Sequence, residues 1–158
     1  CRPPAGGFDG HVIICCGDAP LMKKETFQLW SRPTWRTTTT APSSPPTWRR
    51  AATTAGSPGE ADGSFRAIVE DRDCTPEEKK ITEVNTGTYV FRTAPLLESL
   101  GQLSQDNAQG EFYLTDVPAI LKAKGLRVGL CDTCSPQEML GVNTVEQLGE
   151  VEAILRAR

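Results

Sequence analysis

The sequence predicts an α/β layered domain built on a mixed, mostly parallel sheet. Three observations carry that prediction. A short apolar run, Val12-Ile13-Ile14-Cys15-Cys16, ends abruptly in Gly17-Asp18, as a buried parallel strand does where it enters a loop at its C-terminal end. From Ser64 onward, strand-like and helix-like stretches alternate, the pattern of a layered sheet with crossover helices. The chain then closes on an amphipathic segment in which Val145, Leu148, Val151, Ile154 and Leu155 recur at spacings of three and four, giving a helical apolar stripe.

Taken in order, residues 12–16 form the first strand, and Lys23 to Trp30 begins a helix that a proline-rich stretch cuts off. Residues 65–70, FRAIVE, read as a strand. Thr75-Pro-Glu-Glu78 is a helix start, with Thr as cap, Pro at the first helical position and Glu three residues after the cap. A strand is predicted over 84–91, around Asn85-Thr-Gly87, and helices over 95–103 and within 110–125, the latter stopping at Gly125. Residues 126–130 read as a strand and 144–156 as the final helix.

At 158 residues the chain has the length of one domain, for which roughly 100–200 residues is usual. A hydrophobic content of 38%, with 12 prolines and 14 glycines, leans toward loops. The net charge of −3 gives no general attraction to nucleic acid or anionic membranes. It is unevenly placed: Arg32, Arg36, Arg49 and Arg50 against Glu60 give residues 31–60 a net of +3, and the remainder −6. Six scattered cysteines, two of them inside the first apolar run, favour buried thiols over a disulfide framework. Cys131 and Cys134 form a CxxC with no second half, and His11 is the sole histidine, so no Cys₂His₂ zinc site is available within one chain. The longest apolar run is far short of the ~20 residues of a spanning helix. A cytoplasmic protein that binds neither membrane nor nucleic acid is the expectation.

Three places could do chemistry. Gly17-Asp18 sits at the mouth of a strand, where α/β sheets gather ligands. Asp18 is there either an oxygen ligand for Mg²⁺ or a turn residue bonded to its own backbone, the simpler reading on local pattern. Asn85, beside a glycine, offers a donor and an acceptor suited to a sugar hydroxyl or N-acetyl group, against the plainer role of a bulge residue. Asn143 precedes the last helix as a further oxygen ligand or as the start of a cap. With one histidine and no Ser/His/Asp set, any catalysis is positional and metal-assisted, without a covalent nucleophile.

Four stretches together resemble a known family: residues 68–91 (IVEDRDCTPEEKKITEVNTGTYVF), 106–125 (DNAQGEFYLTDVPAILKAKG), 141–158 (GVNTVEQLGEVEAILRAR) and 17–21 (GDAPL). They are similar to the uridyltransferase domain of the bacterial bifunctional N-acetylglucosamine-1-phosphate uridyltransferase/glucosamine-1-phosphate acetyltransferase. The resemblance implies a Rossmann-like nucleotidyltransferase, of which this chain is the C-terminal half. It also implies reaction of UTP with N-acetylglucosamine 1-phosphate to give UDP-N-acetylglucosamine and pyrophosphate, assisted by Mg²⁺, in cell-wall precursor synthesis. Carried onto matching positions, Asp18 and Asn143 hold Mg²⁺. Gly17, Glu70, Asn85, Tyr113 and Thr115 join them as substrate-binding residues. Another sugar-1-phosphate nucleotidyltransferase, or a non-catalytic nucleotide-sugar-binding fragment, is the alternative.

The departures from that family are specific. Cys16 stands before Gly17-Asp18 where the family usually has Tyr. The glycine-rich loop, the uracil-reading segments and the β-helix acetyltransferase domain, through which the family trimerises, are not found in these 158 residues. The expected organisation is therefore residues 1–30 as the start of a partial domain, 61–143 as its remainder and 144–158 as a helix leading toward that β-helix. Such a fragment is expected to be inactive and unstable alone. Residues 31–60 are expected to be aberrant or disordered. A one-nucleotide frame slip permits the reading VAAHVEDDNDCTVLTADLEE for 31–50 and YGRI for 54–57, both suited to the family at that place. A disordered linker fits the composition as well. So does a basic arm stacking Trp35 and Trp48 on bases.

Overall fold

The computed structural model describes residues 7–30, 40–41, 51–55, 65–70, 72–81, 84–129 and 134–158. In chain order they form β1 (His11–Ile14), α1 (Lys24–Trp30), β2 (Thr40–Ala41), β3 (Ala51–Ala55), β4 (Phe65–Glu70), β5 (Val84–Asn85), β6 (Tyr89–Arg92), α2 (Thr93–Leu100), α3 (Val117–Ala123) and α4 (Val145–Arg156). Short 3₁₀ turns cover Glu78–Lys80, Leu114–Asp116 and Pro136–Met139. Among the described residues no helix is long and apolar enough to cross a membrane.

The strands form a two-stranded sheet, β1–β6, and a four-stranded sheet in the order β2-β5-β3-β4. The α/β class is as predicted, but the mostly parallel sheet is not: every described pairing is antiparallel. Alternation of strands and helices dictates parallel pairing only where successive strands are joined by a crossover and lie side by side. Here β3 and β4 are consecutive strands that pair antiparallel, and β1 pairs with β6, far along the chain, so either direction was open to it. Residues 40–41 and 51–55 are strands within the 31–60 segment, held by ladders to β5 and β4. The rest of that segment, including the Thr/Pro/Arg run, lies outside the described residues.

The predicted single strand over 84–91 is two strands in two sheets. Gly87, at φ +70°, makes the break; a left-handed residue cannot continue a pleated strand, and glycine takes that conformation without a Cβ penalty. Beyond the break, β6 alternates strictly. Tyr89 and Phe91 join Leu96, Val117 and Leu121 in one core, and Val90 joins Trp30 and Cys134 in another on the opposite face. That is the period of two expected of a strand covered on both sides. β1 is covered less completely than predicted. Val12 and Ile14 pack against the first core, but the layer over Val90 does not reach Ile13, which stays 37% exposed. An apolar run alone does not distinguish burial on one face from burial on two.

Helix ends follow their local chemistry. Thr75 and Glu78 make the predicted capping exchange, with Glu78 Oε2 accepting from Thr75 N at 2.8 Å. Only a 3₁₀ turn follows it. α3 ends as predicted at Gly125 (φ +75°): Leu126 N donates to Leu121 O at 3.1 Å and Gly125 N to Lys122 O at 2.9 Å, the paired bonds of a Schellman cap. Residues 126–129 show a single bridge at Gly129 in place of the predicted strand. α2 runs Thr93–Leu100, a little earlier than predicted, because Thr93 is pinned to Gly10 O through both its N and Oγ1. Of the apolar stripe on α4, only Val151 is buried, with Val145, Leu148 and Leu155 exposed. Of the described cysteines, only Cys134 is buried; Cys16 and Cys74 are half-buried and Cys15 is exposed.

One carboxylate that the sequence did not single out joins distant segments. Glu138, 2% exposed, accepts from Lys23 N (3.1 Å), Thr26 Oγ1, Ser135 N (3.1 Å) and Ser135 Oγ (2.8 Å). Burial works against its charge, yet the hydrogen bonds from Thr26, Ser135 and Lys23 outweigh that and hold its pKa below the ordinary value. Because the folded pKa is depressed, its contribution is complete above the ordinary carboxylate range and is lost as pH falls through the lowered value. Glu138→Ala strands these donors and is expected to cost about 3 kcal/mol, read as a lower urea midpoint near neutral pH. The gap between wild type and variant should close in acid.

Candidate functional site

Four elements converge behind the Gly87 break: the end of β1, the end of β4, the β5–β6 turn and the 112–115 segment. They enclose a cavity of about 280 Å³ lined by Cys16, Glu70, Asn85, Tyr89, Tyr113 and Thr115, among others. Four of the residues singled out from the sequence, Glu70, Asn85, Tyr113 and Thr115, therefore share one space. Glu70 closes β4, and Thr115 Oγ1 donates to its Oε1 at 2.9 Å, which fixes the carboxylate. Gly17 is exposed and lies at the turn between Cys16 and Asp18, outside that lining.

Asn85 is the most constrained of the set. It is 7% exposed, and its Nδ2 donates to Tyr89 Oη at 2.6 Å across the Gly87 turn. That bond sets the amide's orientation and leaves Oδ1 buried with no hydrogen-bond partner. An orphaned buried acceptor costs roughly 1–3 kcal/mol, a penalty that a ligand N–H or O–H would remove. Tyr89 is missed by sequence reasoning. It stacks on Phe91, with centroids 5.4 Å apart, and burial drives its phenol pKa far up even against the Asn85 hydrogen bond, so it stays a neutral phenol. The signal was present as Asn-x-Gly-x-Tyr, but only the fold shows that the glycine turns the two side chains onto each other.

A second cavity of about 240 Å³ shares Glu70, Tyr113 and Thr115 and adds Asp73, Asp106, Asn107 and Asp116. Asn107 organises the loop beside it: its Nδ2 donates to Glu111 O at 2.6 Å, and its Oδ1 accepts from Gln109 N and Glu111 N. Gln109 Nε2 then donates to Tyr113 Oη at 2.8 Å, orienting that ring's hydroxyl. Asp73 fastens the loop to the end of β4 through Ala108 N at 2.9 Å. Burial, and then the charge of Asp73, raise the pKa of Asp116.

The two residues expected to hold a metal are brought to adjoining loops. Val142 N donates to Asp18 O at 2.8 Å, and Arg158 Nη2 reaches Leu21 O at 3.1 Å. Asn143 uses its backbone N for the α4 cap, donating to Gln147 Oε1 at 2.7 Å. That bond bears on its reading as the start of a cap. Among the described residues no three His, Cys, Asp or Glu side chains converge on a point. A carboxylate and an amide oxygen are hard donors that fit Mg²⁺, an ion that usually takes one or two protein ligands and completes its shell with water and phosphate.

The chain is, at this level, a mixed α/β domain in which one cavity brings Glu70, Asn85, Tyr113 and Thr115 together and adjoining loops carry Asp18 and Asn143. No protein-family model matches it. It is 39% identical to the bifunctional protein GlmU of Clostridium novyi, over 96% of this chain and 33% of that protein. Identity is 42% to GlmU of Clostridium perfringens (96% and 33%) and 38% to GlmU of Bacillus subtilis (94% and 33%). The sequence is therefore similar to a part, and not to the whole, of the bifunctional protein GlmU, and it spans about a third of the length of these relatives. This bears out the family resemblance seen in the four sequence stretches. A match over 96% of the chain also runs across residues 31–60.

Two substitutions test the geometry. Tyr89→Phe removes the acceptor of Asn85 Nδ2 and is expected to cost about 1–3 kcal/mol of stability in urea denaturation. Gly87→Ala places a Cβ 2.7 Å from Cys16 Sγ at φ +70°. It should lower the thermal midpoint, and Cys16→Ala added to it should restore only part of the loss, since the backbone strain of about 1–3 kcal/mol remains.

Proposed function

We propose that this chain forms the sugar side of an N-acetylglucosamine-1-phosphate uridyltransferase site, serving UTP + N-acetylglucosamine 1-phosphate → UDP-N-acetylglucosamine + pyrophosphate. The observation that carries the reading is the orphaned Oδ1 of Asn85 in the wall of the cavity. An N-acetyl N–H or a ring hydroxyl supplies the donor it lacks. Glu70, held by Thr115, accepts from a second hydroxyl, and Tyr113 gives the sugar an apolar face. Similarity to GlmU proteins supports the assignment.

In this reading an oxygen of the sugar phosphate attacks the α-phosphorus of UTP in line, the α–β bond breaks, and pyrophosphate leaves. The protein contributes position and charge complementarity, not a covalent intermediate. Asp18 and Asn143 are the residues that would hold Mg²⁺, which when bound offsets the charge of the reacting phosphates. The reaction belongs to cytoplasmic synthesis of cell-wall precursors.

Among the described residues no Lys or Arg lines the cavity, so ligand binding and not turnover is the property to measure. Titration of UDP-N-acetylglucosamine in a calorimeter is expected to show binding that strengthens with Mg²⁺ and loses that dependence in Asp18→Ala. Asn85→Ala is expected to weaken binding about tenfold, the worth of roughly one hydrogen bond. Equal affinity for UDP and UDP-N-acetylglucosamine would refute the sugar assignment. Binding indifferent to Mg²⁺ would refute the metal assignment and leave a nucleotide-sugar-binding module.

A further inference from the structure

Cys16 is placed unusually for a thiol. It is half-buried at the end of β1 and lines the same cavity as Asn85, whose buried Oδ1 lacks a partner and so marks that space as a ligand's. On its other side the sulfur lies against the β5–β6 turn: Sγ is 3.7 Å from Gly87 O, and a Cβ on Gly87 would come within 2.7 Å of it. A group added to Sγ has no room toward Gly87, and the cavity that Cys16 lines is the space the structure shows for it. Neighbouring Cys15 is exposed and is not among the lining residues, and Cys74 Sγ is turned to Val69 O at 3.6 Å.

We propose that Cys16 is a modification site inside the ligand cavity, capped by a low-molecular-weight disulfide in a step that shuts the cavity to its nucleotide sugar. The Cys16 thiolate attacks one sulfur of the disulfide, a new S–S bond forms as the old one breaks, and the departing thiolate takes up the proton that Cys16 lost. The step is reversed by excess thiol. Cys16 and Asn85 line the same cavity, so an adduct on Sγ competes with the sugar for that space. This inference rests on the proposed sugar site.

The test is treatment of the full chain with oxidised glutathione, with peptide mass spectrometry to locate adducts and calorimetry with UDP-N-acetylglucosamine to read binding. The expected result is a mixed disulfide at Cys16, binding weakened at least about tenfold and restored by dithiothreitol. Ligand present beforehand should slow capping of Cys16 but not of Cys15. Cys15→Ser should behave as wild type, and Cys16→Ser, whatever its own affinity, should no longer respond to the disulfide. Capping of Cys16 with unchanged binding, or capping no slower with ligand bound, overturns the inference while leaving the sugar site standing. Untreated protein that does not bind UDP-N-acetylglucosamine overturns both.

Discussion

The architecture of the site depends on one backbone angle. Gly87 at φ +70° ends one strand and begins another, which sends β5 into the four-stranded sheet and β6 into the pair with β1. Without that reversal, Asn85 and Tyr89 would be spaced along one continuous strand, both on one face but too far apart to bond. With it, the amide meets the phenol at 2.6 Å, and its other end is left as a buried acceptor. The absence of a Cβ at the same position also makes room for Cys16 Sγ. Conformational permissiveness and lack of bulk, two separate properties of glycine, are both used at a single residue.

Around this turn the packing is divided between two small cores, one on each face of β6. The aromatic face, Tyr89 and Phe91, is covered by α2 and α3 residues and by one face of β1. The Val90 face is covered by α1 and by the segment around Cys134 and Met139, which have no regular structure long enough to pack alone. The Glu138 carboxylate supplies what they lack. By accepting from both Lys23–Thr26 and Ser135 it ties the start of α1 to a short turn from the far end of the chain. The buried charge is tolerable because donors surround it, not because burial favours it.

What the sequence made legible is what local chemistry decides. The boundaries of β4, the Thr75 exchange with Glu78, and the glycine stop after α3 all rest on residues within a few positions of each other. The pooling of Glu70, Asn85, Tyr113 and Thr115 was reachable only through family resemblance, and the fold places them together independently. Strand direction was not legible, because it depends on which strands become neighbours. Nor was the split of 84–91, since a glycine in a strand can mark a bulge, a bend or a break with equal sequence cost. The hydrogen bonds of Asn107 and Glu138 escaped notice for a related reason. Each is a polar residue in a loop or turn whose partners are set by tertiary approach, and composition assigns such residues to solvent by default.

The two ties between the chain's last segment and the loop after β1, Val142 N to Asp18 O and Arg158 to Leu21 O, hold the final helix to the loop that carries Asp18 although the helix contributes no residue to the cavity lining. In the proposed reading, where Asp18 and Asn143 would hold Mg²⁺, docking of that segment and binding of the ion are thermodynamically linked. Whatever a bound cation gains from finding both loops together, the helix gains in hold on the body of the domain, by the same free energy. In that reading, the hold of residues 142–158 on the domain is coupled to the chemistry of a turn more than a hundred residues earlier in the sequence.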